Sequence, residues 1–276
     1  MPLFFSLNFL NPSLVTDTVF GFICFSLLSS VVYILNDIRD MEKDRMHSTK
    51  RLRPLASGKI PMPHAVVVMA VLSVALIAML VMVRTHGNRL FSIEAIGLLL
   101  LYAVLNVAYS WGLKNFPLVD VTILASGYVI RVLFGAMIIG VNVSVWLYLV
   151  VTLGAYYMGF GKRRNEITGN ETGTRSVMRF YSHSFLDKNM YVCQVLCVVF
   201  YVLWSIDSET VERLHTSAFV YTIPIILIIF LKYSLNIETD ADGDPTSVLL
   251  GDKILIFLCG VYVICAFCIV YLNRGA

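Results

Sequence analysis

Asp37, Asp40 and Asp44 form the pattern in this sequence best suited to chemistry. Their i, i+3, i+7 spacing puts all three carboxylates on one face wherever the segment is helical. Asn36 precedes them and adds an amide oxygen. Like charges stacked in this way repel, and a solvated helix end gives no reason to gather them. A hard divalent cation does: Mg2+ is held by one or two carboxylates together with the phosphate oxygens of a substrate. The three aspartates are therefore candidate metal ligands, with Mg2+ as the candidate cofactor. Downstream, His47, Lys50, Arg51 and Arg53 suit phosphate oxygens. A topology signal alone is the plainer alternative for these four. Pro54 and Gly58 then close the segment as a loop.

Three further clusters carry charge. "AYSWGLKNFPLVDV" supplies Tyr109, Ser110, Lys114 and Asp120, and Arg131 follows three helical turns later. Charge within a membrane span is costly and faces a polar cavity or a partner, so Asp120 and Arg131 are expected to point into a bundle interior. A purely structural ion pair is the alternative. "GFGKRRNEITG" carries Lys162, Arg163, Arg164 and Glu166, with Arg175 and Arg179 beyond it. "NIETDADGDPTSVLLGDK" carries Glu238, Asp240, Asp242, Asp244 and Asp252. Its "DADGD" lacks the glutamate that a calcium-binding loop needs twelve positions from its start, which leaves a solvated acidic loop as the alternative. No Walker, GxGxxG, HExxH or GxSxG motif is present, so nucleotide hydrolysis and protease chemistry have no support. Nothing points to a nucleic-acid partner.

The elements that must hold these clusters are membrane helices. The chain has 276 residues, 58% hydrophobic and 14% charged, with a mean hydropathy of +0.79. Apolar runs of spanning length predict helices at 14–35, 62–84, 91–110, 120–139, 144–160, 189–206, 216–235 and 252–272. The apolar residues 1–10 are too short to cross and lack a basic leader, so they read as a partial helix rather than a cleaved signal. Residues 36–61, 111–119, 161–188 and 232–253 hold 7, 1, 6 and 2 of the 21 Lys and Arg residues. That bias predicts that these connections are cytoplasmic, so nearly all the polar chemistry lies on one face of an inner, cytoplasmic membrane. Cys24, Cys193, Cys197, Cys259, Cys265 and Cys268 all fall in apolar runs and read as packing residues. No linker interrupts the chain, so residues 1–276 read as a single domain.

"NDIRDMEKD", with its context "DRMHSTKRLRPLASG", resembles the NDxxDxxxD motif of the UbiA superfamily of intramembrane prenyltransferases. The resemblance implies an all-α polytopic bundle with a central cavity open to cytoplasm and lipid, here with eight full spans and an N-terminal partial helix. The superfamily's second DxxxDxxxD motif is missing. In its place stand "YSWGLKNFPLVDV", "GYVIRVLFGA", "GKRRNE" and "GDPTSVLLGDK". These resemble the branch that moves a phosphoribosyl group from phosphoribosyl diphosphate to a polyprenyl phosphate, on the way to lipid-linked arabinose. The superfamily's basic RPxQWxKN-type opening is also missing, so either translation starts upstream of Met1 or eight spans suffice.

That resemblance implies roles. Asp37, Asp40 and Asp44 would hold Mg2+ on the donor diphosphate. Lys114, Lys162 and Arg163 would hold two phosphate-bearing substrates against their mutual repulsion, and Tyr109 would donate to a phosphate or the ribose. Lys114 and Tyr109 join the aspartates as catalytic candidates. Asn36, Lys50, Arg51, Arg53, Asp120, Arg131 and Glu166 join Lys162 and Arg163 as substrate-binding candidates. The rival readings are a prenyltransferase with a prenyl diphosphate donor and a small acceptor, and a transporter or lipid-binding protein. Orientation is directly testable. With the six cysteines replaced, Lys50→Cys should react with an impermeant thiol reagent only from the cytoplasmic side. Labelling from outside would invert the topology.

Overall fold

The computed structural model describes residues 11–46, 50–85, 92–168, 176–239 and 244–272. Among them there is no β-strand, and the chain is a multi-pass membrane protein of helical-bundle architecture. The long helices are α1 (Pro12–Arg45), α2 (Met62–Thr85), α3 (Ile93–Trp111), α4 (Val119–Ile139), α5 (Val145–Thr168) and α6 (His183–Ile206). After them come the short α7 (Ser208–Leu214), the long α8 (Ile223–Thr239), the short α9 (Pro245–Gly251) and the long α10 (Lys253–Leu272). The expected partial helix at the N-terminus lies outside the described residues.

Two helices run eight or more residues past the C-terminal ends of their predicted spans, and both carry the candidate site residues. α1 starts at an Asn11 cap, whose side-chain oxygen accepts from Ser13 N at 3.1 Å, with Pro12 at its first position. No glycine or proline lies between Gly21 and Pro54, so nothing stops the helix at residue 35. It continues to Arg45, 34 residues in all or about 51 Å, well beyond the roughly 30 Å hydrocarbon layer. α5 behaves alike: "GKRRNE", expected to begin a loop, is its last two turns. This charged end explains why α5 is the one long helix among the described residues that is not apolar enough over a spanning length, while the other seven are, α8 together with the 3-10 turn Ala218–Thr222 that precedes it.

The bundle is apolar outside as well as inside. Val67, Val71, Val74 and Ile77 of α2 are exposed, the face expected against lipid. Lipid tails are themselves apolar, so close packing rather than water exclusion holds the helices together. One cluster joins α1, α3 and α4 through Phe25, Val32, Leu99, Tyr102 and Phe134. A second joins α4, α5, α6 and α8 through Val121, Tyr157, Met190 and Ile237. Cys24, Cys193 and Cys197 are buried, and all six cysteines are free.

α5 approaches its neighbours through glycine. A Cβ at Gly159 would stand 2.8 Å from Val121 Cγ1, on a stiff β-branched side chain of α4. One at Gly161 would stand 2.5 Å from Ile237 Cδ1. Overpacking of this kind costs about 1–3 kcal/mol. Gly159→Val should therefore lower the thermal unfolding temperature of the protein in detergent, and an unchanged midpoint would refute the close approach.

Candidate active site

The last turns of α1 present Asn36, Asp37, Asp40 and Asp44 to two connections that return across them. The first runs from α1 to α2. Its 3-10 turn at Lys50–Leu52 brings back Arg53, whose Nη1 donates to Asp37 Oδ1 and Asp44 Oδ2, both at 2.9 Å. Buried Leu55 and Ala56 anchor the connection, and the Ala56 carbonyl accepts from Arg45 Nε at 3.3 Å. The second follows α3, where Gly112 takes φ 145° and starts a 3-10 turn at Leu113–Asn115. That turn drives Lys114, only 4% exposed, onto Asp40. Asn36 Oδ1 accepts from Ser110 Oγ at 3.1 Å and more distantly from Lys114 Nζ at 3.5 Å. Two cations thus relieve the repulsion of three carboxylates.

Whether these residues fit a metal follows from the same contacts. Two carboxylate oxygens, from Asp37 and Asp44, converge on one cationic atom of Arg53. A hard cation seeks just such a point between oxygens. Among the described residues no three His, Cys, Asp or Glu side chains are gathered as a finished metal cage. The donor set therefore fits an ion such as Mg2+ that takes one or two carboxylates and obtains its other ligands from phosphate and water.

Behind this layer lies a second, centred on two fully buried charges, Arg163 and Asp120. Arg163 of α5 is 0% exposed; its Nε donates to Asp120 Oδ2 and its Nη1 to Glu166 Oε2, each at 2.6 Å, and its Nη2 to the Tyr109 hydroxyl at 3.3 Å. Tyr181 donates to Asp120 Oδ1 at 2.6 Å and accepts from Leu118 N at 2.6 Å. The second bond holds Leu118 at φ 65°, a left-handed turn from which α4 starts. Burial, and then the bond to Asp120, push the Tyr181 phenol well above its ordinary pKa, so it stays a donor. Arg163, expected among the phosphate-holding cations, is placed off the cavity wall, locking α3, α4 and α5 together. Asp120 pairs with Arg163 and not with Arg131.

Between α1, α3, α4, α5 and the start of α9 lies a cavity of about 380 Å3. Asn36, Arg53, Tyr109, Arg131 and Lys162 line it, as does Asp244. Lys162 Nζ donates to Asp244 Oδ1 at 2.9 Å. Burial works to raise the Asp244 pKa, but the hydrogen bond and charge of Lys162 outweigh it and hold the carboxyl below its usual range. Lys50 and Arg51 stand on the turn beside the aspartates, the former half-buried and the latter exposed, and neither reaches the cavity wall. Arg164 turns away to Asp187 at 2.6 Å. Of the acidic fourth cluster, Asp252 caps α10 and pairs with Lys232 at 2.7 Å. His47, Arg175, Asp240 and Asp242 fall outside the described residues.

Sequence reasoning underrated three features. Asp244, in the cluster for which a solvated acidic loop was the alternative, caps α9 ahead of Pro245; Asp-Pro at a helix start is a legible signal. Tyr102, Asn106 and Tyr109 recur at i, i+4, i+7 and form a polar stripe down α3, all on the cavity wall. Tyr181 gave no local sign of its role.

Residues 3–169 match the UbiA prenyltransferase family. A decaprenyl-phosphate phosphoribosyltransferase of Corynebacterium glutamicum is 32% identical over 270 residues, covering 95% of this chain and 78% of that protein. A Mycolicibacterium smegmatis protein of the same name is 31% identical over 244 residues, covering 85% and 74%. The fold is shared with a UbiA homolog from Archaeoglobus fulgidus solved bound to GPP and Mg2+, at TM-score 0.66 and 17% identity, with 92% of this chain and 87% of that one covered. With a multi-pass bundle, an aspartate face at one end of it and these likenesses over most of its length, the chain belongs to the UbiA prenyltransferase family, a family of transferases.

Proposed function

We propose that the protein transfers a 5-phosphoribosyl group from phosphoribosyl diphosphate to a polyprenyl phosphate and releases diphosphate. The observation that carries this reading is the cation content of one small cavity. Arg53 and Lys162 stand on its wall, and Lys114 backs it. Two substrates that both bear phosphate need that much positive charge. The names of the relatives from Corynebacterium and Mycolicibacterium support the same assignment.

In this reading Asp37, Asp40 and Asp44 would hold Mg2+, with Asn36 beside them. Held there, the ion would supply charge neutralisation for the departing diphosphate. Arg53, which now bridges the two aspartates, turns to phosphate oxygens instead. Lys114 fixes the direction of Asp40. Lys162 binds the donor's 5-phosphate, and Tyr109 hydrogen-bonds the ribose or a phosphate. Lys50 and Arg51 lie on the donor's approach. Asp120, Arg163 and Glu166 position α3, α4 and α5 around the cavity. The acceptor oxygen is already anionic, so its attack on C1 needs alignment more than a base. The site faces the cytoplasm, where the soluble donor is found, and the product suits synthesis of lipid-linked arabinose. Residues 1–276 act as one domain.

Three measurements bear on this. Asp37→Asn or Asp44→Asn should abolish turnover in protein that still unfolds cooperatively, and EDTA should do so reversibly; full activity in EDTA would remove the metal. Lys162→Ala should raise the apparent KM for phosphoribosyl diphosphate by roughly 30- to 1000-fold, equivalent to about 2–4 kcal/mol for a charged hydrogen-bond partner in a partly desolvated site. Arg213→Ala, at the other end of the bundle, should leave it alone. Finally, labelled phosphoribosyl diphosphate and labelled geranyl diphosphate can be offered with a polyprenyl phosphate or an aromatic acid. Transfer of the prenyl label alone would favour the alternative donor, the one bound to the Archaeoglobus protein.

A further inference from the structure

Among the described residues, Arg131 occupies a membrane span without a protein anion to balance it. It lies twelve residues beyond Val119, about 18 Å along α4 from the end that carries Asp120. Among the described residues no carboxylate pairs with it. Its guanidinium donates to the Tyr102 hydroxyl at 3.1 Å and, at the limit of a hydrogen bond, to the Gly127 carbonyl at 3.5 Å. The rings of Phe25, Tyr102 and Tyr128 surround it at 5.3, 5.4 and 5.5 Å. Cation–π contacts lessen the cost of holding the charge in the span, but among the described residues most of its five N–H groups have no acceptor. The other cations of the cavity, Arg53 and Lys162, each face a carboxylate. Arg131 lines the same cavity at the level of Tyr102, two turns deeper along α3 than Tyr109 and Ser110.

We propose that Arg131, within its ring of Phe25, Tyr102 and Tyr128, is the floor of the cavity and a subsite for a phosphate monoester, the headgroup of the lipid acceptor. Assignment to the acceptor rests on the transfer reaction proposed above. In that reaction the bond from C1 to the diphosphate oxygen breaks and one from C1 to the acceptor's phosphate oxygen forms. The diphosphate leaves with the bonding pair, and no proton moves. Displacement with inversion requires entering and leaving oxygens on opposite faces of C1. The aspartates that take the diphosphate adjoin one end of the cavity, whose wall there is Asn36 and Arg53, and the only cation at the other, among the described residues, is Arg131. A lipid phosphate reaches that depth with its tail still among apolar side chains. The soluble donor has its anions matched nearer the aspartates.

The test uses Arg131→Gln and Arg131→Lys in the full chain. Three readouts apply: apparent KM for each substrate, thermal unfolding, and direct binding of farnesyl phosphate with neither donor nor metal present. Arg131→Gln should raise the KM for the polyprenyl phosphate and weaken farnesyl phosphate binding, each roughly 30-fold or more. The KM for phosphoribosyl diphosphate should stay near wild type. Arg131→Lys keeps the charge but loses the planar fork, and should fall between. A rise confined to the soluble donor would give the floor to the 5-phosphate and overturn the acceptor assignment. Wild-type kinetics and binding in folded variants would overturn the subsite altogether. Should the wild type make nothing from phosphoribosyl diphosphate, yet lose farnesyl phosphate binding on Arg131→Gln, the transfer reaction falls and the subsite stands.

Discussion

A charge is costly to leave bare in a medium of low dielectric constant, and this constraint organises one end of the molecule. Carboxylates and cations that would each be prohibitive alone are gathered at one end of the bundle, where each answers another. Arg53 answers Asp37 and Asp44, Lys114 answers Asp40, and Arg163 answers Asp120 and Glu166. The groups come from α1, α3, α4, α5 and the connections between them. Pairing is therefore also tertiary structure: the helices cannot separate at this end without exposing an uncompensated ion.

The same constraint divides the charged groups by role. Arg163 has no exposure and two carboxylates within hydrogen-bond reach, so it is committed to structure. Lys162, its neighbour in sequence, faces the cavity with one carboxylate and partial exposure. One helical residue of offset, about 100°, separates a strut from a cation on the cavity wall. The length of α1 and α5 serves this division. Helices that continue past the apolar layer carry side chains in a fixed register, which loops of similar composition would not.

Much of this was legible in the sequence, for physical reasons. Hydropathy gave the spans because a bilayer sets their length, and the i, i+3, i+7 aspartates gave one face because a helix has a fixed period. Helix ends were misread where charge was taken for a loop. Both α1 and α5 continue because nothing in their sequences breaks them. Long-range partners were out of reach: Tyr181 with Asp120, or Lys162 with Asp244, are 61 and 82 residues apart, and no local pattern encodes such meetings. Arg163 and Lys162 looked equivalent in "GKRRNE" because a string of letters does not show which side of α5 faces a neighbour.

The bridge from Arg53 to Asp37 and Asp44 has a consequence for selectivity. Whatever takes these carboxylates competes with a tethered cation that is always present. The apparent affinity of a bare ion is therefore its intrinsic affinity multiplied by the fraction of time the guanidinium is away. A complex of metal with an anionic substrate would escape that discount, because it would offer Arg53 new oxygens as it removed the old ones. For the reaction proposed above, a counter-ion built into the chain would thus act as a filter, favouring the loaded complex over the bare ion.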